Sequence, residues 1–212
     1  MRLLREELAN IYDILKRNSN ETAIIVAATL FFVLNRYHPI QNDWLSSFVY
    51  FAVLPILVIV LVLRKNPLDF GLRLGNVRIW GFYVLVIIFV SAAILYACSY
   101  NHALQNQYRM ANFNLLCYFL KGVISLSAQE FIYRGFLLFG LKDKFKEGSI
   151  LLQMVPFVLL HLGKTELETL STIITGVLFG YVAYRSKSYW PAFIIHLFIN
   201  IYFVSLINYK YT

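Results

Sequence analysis

Ionisable and polar side chains occur inside stretches that are otherwise apolar enough for a membrane. Glu130 and Arg134 lie in SLSAQEFIYRGFLL, His161 in MVPFVLLHLG, and His196 and Asn200 in FIIHLFIN. Such groups are costly at bilayer depth unless they are paired or functional. A carboxylate beside an imidazole can polarise water for attack on an amide. An imidazole and a carboxamide one helical turn apart can stabilise the resulting oxyanion. These residue types predict a hydrolytic site within the membrane.

The same residues allow plainer interpretations. Glu130 and Arg134 are four positions apart, so they share a helix face and can form an ion pair that only stabilises the bundle. Each buried histidine can be a hydrogen-bonded core residue. Glu130, His161 and His196 are also sound metal ligands, although the pattern does not favour a metal site and we expect no cofactor. The spacing of His196 and Asn200 places both side chains on one face, which favours a shared role.

Other protease chemistries fit the sequence poorly. It contains no His-Glu-x-x-His zinc motif and no Gly-x-Ser-x-Gly nucleophile motif. An aspartyl dyad needs two aspartates at bilayer depth, and no aspartate lies deep in an apolar segment; they are Asp13, Asp43, Asp69 and Asp143.

The elements that must position these residues are transmembrane helices. Of the 212 residues, 59% are hydrophobic and 14% charged, whereas soluble domains carry about 25% charged residues. We predict an all-α, polytopic transmembrane bundle. Several segments are shorter than the roughly 20 residues of a full span, so one or two could be tilted, half-buried or re-entrant. The seven apolar segments lie at about 22–35, 44–63, 79–99, 112–140, 149–163, 168–185 and 190–208.

Residues 1–21 precede this bundle, which we assign to residues 22–212. Their apolar residues recur at helical spacing with charges between them, which predicts an amphipathic helix lying in the membrane interface. A solvated helix is the alternative. The net charge of +8 does not indicate nucleic acid, because the basic residues lie between apolar segments and form no polar face.

The loops predict the orientation and the depth of the site. Alternate loops carry 13 basic residues against 4, which predicts a cytoplasmic N-terminus and an external C-terminus. At 1.5 Å per residue, Glu130, His161, His196 and Asn200 then lie roughly 14–20 Å from the inner boundary. We therefore expect these residues, together with Arg134, to surround one polar cavity.

Smaller features predict packing and capping. Gly176 and Gly180 form a small-residue face that predicts close packing of their helix. Thr165, Glu166 and Glu168 begin the same segment, and we expect them to cap it.

At the site residues the chain resembles the CPBP family of intramembrane glutamic proteases. This family includes CAAX prenyl endopeptidases of the Rce type, bacteriocin-processing enzymes and related Abi proteins. Its motif Glu-Glu-x-x-x-Arg corresponds to residues 129–134, Phe-x-x-x-His to Phe157 and His161, and His-x-x-x-Asn to His196 and Asn200. The matching motifs span residues 129–200, within a family-like core at about 112–208. The resemblance implies a membrane-associated peptide or protein substrate, prenylated or leader-bearing, and a place in a prokaryotic cell membrane.

The chain departs from the family at Gln129, where the first motif has its first glutamate. That glutamate is taken as the base that activates water, and a carboxamide cannot accept a proton as a base. Three interpretations remain open: Glu130 acts instead with His161, the chain is a non-catalytic relative, or the substitution inactivates the enzyme. A non-enzymatic immunity factor or scaffold is the main alternative function, and a proton-relay transporter is a weaker third.

Overall fold

The computed structural model describes residues 2–210, and every regular element in this range is a helix. Helix accounts for 83% of the structure, and no strand occurs in the described residues, which confirms the predicted all-α class. The nine helices are α1 Arg2–Arg17, α2 Ser19–Tyr37, α3 Asp43–Val62, α4 Val77–Cys98, α5 His102–Tyr108, α6 Leu115–Phe145, α7 Gly148–Leu160, α8 Glu166–Ser186 and α9 Trp190–Lys210.

Five of these helices are long and apolar enough to cross a membrane, namely α3, α4, α6, α8 and α9. The polytopic bundle is thus confirmed, whereas the number of seven spans stays a prediction. Helix α2 is not among these five. It begins with Ser-Asn-Glu and ends near Asn35 and Arg36, and these polar residues lower its apolar content. Helix α7 has 13 residues, or roughly 20 Å, and is shorter than the hydrocarbon core of about 30 Å.

Helix α6 forms the centre of the bundle. It runs for 31 residues with Glu130 as its middle residue. A π-helical segment, Phe131–Leu137, interrupts its regular hydrogen bonding, and all seven residues of this segment are buried. Such π-helical turns occur frequently at functional sites. The first motif therefore lies where α6 is most completely surrounded by protein.

Helices α7 and α8 pack closely through glycine, as predicted. A Cβ atom at Gly176 would lie 2.8 Å from Met154 Cγ and 3.1 Å from Phe157 Cδ1. The buried Gln153 Nε2 donates to the Gly176 carbonyl at 2.8 Å. This close approach holds Phe157 and the end of α7 against the interior of the bundle.

The link between α3 and α4 docks on the start of α9. Tyr189 N donates to the Gly71 carbonyl at 3.0 Å, and Trp190 Nε1 donates to the Leu72 carbonyl at 2.9 Å. Gly71 has φ +82°, a conformation that glycine adopts at little cost. The link contains a 3₁₀ turn at Pro67–Asp69. It anchors the helix that carries His196 and Asn200.

Helix α1 has the predicted amphipathic pattern, and its apolar side chains are exposed. Leu4, Leu8, Ile11 and Leu15 are each more than 45% exposed. They recur on one face of the helix. Its position in a membrane interface stays a prediction.

Candidate active site

Glu130 forms the centre of the polar site. Arg134 Nη1 donates to Glu130 Oε1 at 3.0 Å, and both side chains are 0% exposed. His196 Nδ1 lies 2.7 Å from the same oxygen, with its side chain 11% exposed. Because an ionised carboxylate only accepts, His196 Nδ1 carries the proton and donates it to this bond. The predicted pairing of Glu130 with Arg134 is observed, and His196 joins it.

Aromatic rings surround the Arg134 guanidinium. Its Cζ lies 4.1 Å from the ring centroid of Phe157 and 5.3 Å from those of Tyr133 and Phe179. Ring faces attract a cation, most strongly when it is desolvated. Together with Glu130, the rings offset part of the cost of burying the charge.

Not every polar atom of this site has a partner. Within the described part of the chain, Glu130 Oε2 is buried without a hydrogen bond, as are Nε and Nη2 of Arg134 and the hydroxyl of Tyr133. Buried polar atoms in proteins are nearly always hydrogen-bonded, and exceptions mark functional groups or ordered water. The site thus holds an acceptor and several donors that a reacting group can engage.

His161 lies in the turn that follows α7, one residue beyond the end of the helix, and is half-buried. Its Nδ1 lies 2.8 Å from the Phe157 carbonyl, so Nδ1 donates and Nε2 of the neutral ring is left as an acceptor. His161 interacts electrostatically with both Glu130 and His196. The predicted segment 149–163 therefore extends past the observed helix, and the histidine lies at the end of α7.

Asn200, the middle residue of α9, is oriented by α6. The Tyr118 hydroxyl donates to Asn200 Oδ1 at 2.9 Å. With its oxygen engaged, the amide of Asn200 keeps its NH₂ group as a donor. No motif indicated Tyr118, because this tyrosine and Asn200 are 82 positions apart.

Gln129 is half-buried and takes no part in the hydrogen bonds around Glu130. Adjacent helical residues point about 100° apart. Glu130 therefore faces His196, and Gln129 occupies another face of α6.

A second polar group, the Glu168 cluster, lies beside the site and consists of Gln107, Tyr108, Thr165 and Glu168. The Tyr108 hydroxyl donates to Glu168 Oε1 at 2.6 Å, and Gln107 Nε2 donates to Oε2. Thr165 Oγ1 accepts from Glu168 N at 3.4 Å, which confirms the predicted cap of α8. Glu168 interacts electrostatically with His161 and Tyr118. The sequence predicted the cap but not the partners from α5.

Among residues 3–210, no group of three or more His, Cys, Asp or Glu side chains has the arrangement of a metal site. Glu130 and His196 are in direct contact, whereas the Nδ1 atom of His161 is engaged by a backbone carbonyl. The three side chains that the sequence allowed as metal ligands therefore take part in two separate hydrogen-bonding arrangements: Glu130 with His196, and His161 with the backbone.

The fold and the site define a helical membrane protein with a buried carboxylate–guanidinium–imidazole group in its bundle. Residues 111–202 match the family model described as Type II CAAX prenyl endopeptidase Rce1-like. This match covers a little under half of the chain and includes all six predicted site residues. The match agrees with the resemblance to the CPBP family that the motifs indicated. No curated protein and no solved structure matches the chain significantly.

Proposed function

We propose that the chain is an intramembrane endopeptidase of the CAAX protease type, which hydrolyses a peptide bond in a membrane-associated peptide or protein. The observation that carries the proposal is the environment of Glu130. This carboxylate is wholly buried, is oriented through Oε1 by Arg134 and His196, and has no hydrogen bond to Oε2 within the described residues. The family match supports a peptide hydrolase.

In the proposed mechanism, Glu130 acts as the base with the help of the histidines. Oε2 takes a proton from water, and the water oxygen bonds to the peptide carbonyl carbon. The carbonyl π electrons move to its oxygen. The C–N bond then breaks, and the proton is delivered to the departing amine. His161 Nε2, an acceptor in the neutral ring, helps to orient the water.

Asn200 is proposed to stabilise the oxyanion of the tetrahedral intermediate. Tyr118 engages its Oδ1, which leaves the NH₂ group as the donor. A preorganised donor of this kind contributes about 10²–10³ in rate in other hydrolases. No step of this mechanism requires a metal ion or another cofactor, and we expect a chelator to leave the rate unchanged.

The test uses the full chain reconstituted in lipid vesicles with membrane-associated peptides. One peptide carries a prenylated cysteine near its C-terminus, and another carries a leader sequence. Glu130→Gln removes the proposed base, and Gln129→Glu restores the family's first glutamate. Glu147→Gln is the matched control, because Glu147 is exposed and its carboxylate accepts a hydrogen bond from the Tyr184 hydroxyl at 3.3 Å, away from the site.

If Glu130 is the base, the native chain cleaves a peptide, Glu130→Gln abolishes cleavage, and Gln129→Glu changes little. If the position of Gln129 is catalytic, the native chain cleaves poorly and Gln129→Glu gains roughly 10²–10⁴ in rate. Unchanged cleavage by Glu130→Gln would contradict the proposed role of this residue.

A second candidate function is a non-catalytic CPBP protein that acts as an immunity factor or scaffold. Two observations favour it: the first motif position holds Gln129, and the Glu130 charge is already neutralised by Arg134. Absence of cleavage in the native chain, Gln129→Glu and Glu147→Gln, on every peptide, would favour this function over the protease.

For the protease we propose a prokaryotic cell membrane, with the N-terminus in the cytoplasm and the C-terminus outside. The alternation of basic residues along the loops supports this orientation. Labelling of single cysteines introduced at the exposed positions Ser19 and Tyr209 with a membrane-impermeant reagent tests it, after Cys98 and Cys117 are replaced by serine. Labelling of position 19 from outside intact cells would reverse the orientation.

A further inference from the structure

A cavity of about 400 Å³ lies outside the candidate active site, at the end of the bundle where α3 and α6 finish. The link after α3 contributes Lys65, Asn66 and Asp69, and the last residues of α6 contribute Lys142 and Asp143. Phe70 and Phe139, both buried, supply an apolar wall. The cavity therefore combines charges of both signs with apolar surface.

The length of α6 places this cavity near the bilayer boundary. At 1.5 Å per residue its 31 residues extend roughly 46 Å, beyond a hydrocarbon core of about 30 Å. With Glu130 in the middle of the helix, Lys142 and Asp143 reach the headgroup region. Lipid headgroups are the molecules present at high concentration at this depth.

The charged groups of the cavity are available to a ligand. In the described part of the chain, Lys65, Lys142 and Asp143 form no salt bridge, although they line one cavity. The Lys142 ammonium group lies 4.8 Å from the ring centroid of Phe139, which holds it at the cavity wall. Asp69 is already paired with Arg73 at 3.0 Å. Asn66 Oδ1 accepts from Leu68 N at 2.9 Å, so its NH₂ group remains the free donor. The result is two ammonium groups and an amide donor beside one unpaired carboxylate.

We propose that this cavity binds the headgroup of a zwitterionic phospholipid of the phosphatidylethanolamine type. Its phosphate contacts Lys65, Lys142 and the amide of Asn66, and its ammonium group contacts Asp143. The glycerol and the first part of the acyl chains lie along Phe70 and Phe139. The mixed charges distinguish this site from a purely basic patch, which would prefer anionic lipids.

The experiment measures lipid binding to the purified full chain in detergent by native mass spectrometry, and is independent of proteolysis. Phosphatidylethanolamine, phosphatidylglycerol and diacylglycerol are titrated separately, and soluble glycerol 3-phosphate is added as a competitor. The double variant Lys65→Gln/Lys142→Gln removes the phosphate contacts. Lys144→Gln/Lys146→Gln is the matched control, because it removes two charges from the same end of the bundle outside the cavity.

We expect phosphatidylethanolamine to bind most tightly and diacylglycerol not to bind. The cavity double variant should weaken phosphatidylethanolamine binding roughly 30-fold, whereas the control should retain it. Asp143→Asn should remove the preference for phosphatidylethanolamine over phosphatidylglycerol. Equal weakening by both double variants would overturn the proposal in favour of diffuse surface charge. Tight binding of diacylglycerol, or full competition by glycerol 3-phosphate, would overturn it in favour of apolar contacts or a soluble phosphate.

Discussion

Glu130 and Glu168 are two carboxylates of one bundle whose hydrogen bonding differs. Glu168 is half-buried, and both of its oxygens accept from neutral donors, Tyr108 and Gln107. Glu130 is wholly buried, its Oε1 faces the cation of Arg134 and the ring of His196, and its Oε2 has no donor within the described residues. A carboxylate with complete hydrogen bonding stabilises the structure, whereas one with an open acceptor can take part in a reaction.

The difference follows from the elements that supply the donors. Glu168 lies at the start of α8 and is reached by α5, whose residues pack across the end of the bundle. Glu130 lies in the middle of α6, where its partners must come from facing helices. The comparison predicts a structural role for Glu168 and a chemical role for Glu130. Variants of both residues and of their partners test these two roles.

The largest expected effect is on catalysis by Glu130→Gln. Under the proposed function it should lower the cleavage rate by roughly 10²–10⁴, the usual contribution of a positioned base. Glu168→Gln keeps the shape of the side chain and its two hydrogen-bonding groups, one an acceptor and one a donor. It should change the rate by less than about tenfold. Cleavage kinetics of both variants on one peptide check this. Equal losses would remove the distinction between the two carboxylates.

The next effect is on the stability of the bundle. Arg134→Ala leaves the buried carboxylate of Glu130 without its cation, and should lower the free energy of unfolding by about 3–5 kcal/mol. Arg73→Ala breaks an ion pair of the same spacing with Asp69, but these side chains are 59% and 61% exposed, so the loss should be below about 1 kcal/mol. Thermal unfolding of both variants in one detergent provides the measurement. Equal midpoints would show that the buried pair does not stabilise the fold.

A smaller effect is expected at Tyr118, which we interpret as a residue that positions Asn200. Tyr118→Phe removes the hydrogen bond to Asn200 Oδ1 and frees the amide to rotate, so kcat should fall about tenfold with little change in KM. If Tyr118 acts only through the amide of Asn200, Tyr118→Phe should cause almost no further loss of kcat in an Asn200→Ala background. Additive losses in the double variant would contradict this coupling.

The smallest effect concerns Tyr108 and the pH dependence of stability. Burial raises the pKa of Tyr108 well above its ordinary value of 10.0, and the charge of Glu168 and the hydrogen bond to it raise the pKa further. A phenol whose pKa is raised by folding stabilises the protein below pH 10, and this contribution is lost as the pH rises through the folded pKa. Tyr108→Phe should lower the stability at pH 8 by about 1 kcal/mol and reduce its decline above pH 10. The exposed Tyr12→Phe is the control, and equal pH profiles for both variants would contradict the prediction.

Local spacing explains what the sequence could predict. The all-α membrane class follows from composition, and the pairing of Glu130 with Arg134 follows from a separation of four residues, since neighbours on one helix face are fixed by its period. The same reasoning predicted the cap of α8 by Thr165 and the close approach at Gly176. In each case the interaction depends on one helix or on the size of one side chain, and both can be read from the sequence.

The tertiary structure alone decided which partners meet across helices. His196 contacts Glu130 across 66 positions, Tyr118 orients Asn200, and Tyr108 satisfies Glu168. One interpretation of the sequence paired Glu130 with His161; in the structure His196 makes the direct hydrogen bond to Glu130, and Nδ1 of His161 is engaged by the Phe157 carbonyl. The rotation of each helix about its axis selects these contacts. That rotation is set by the packing of the whole bundle, and the order of residues along one helix does not contain it.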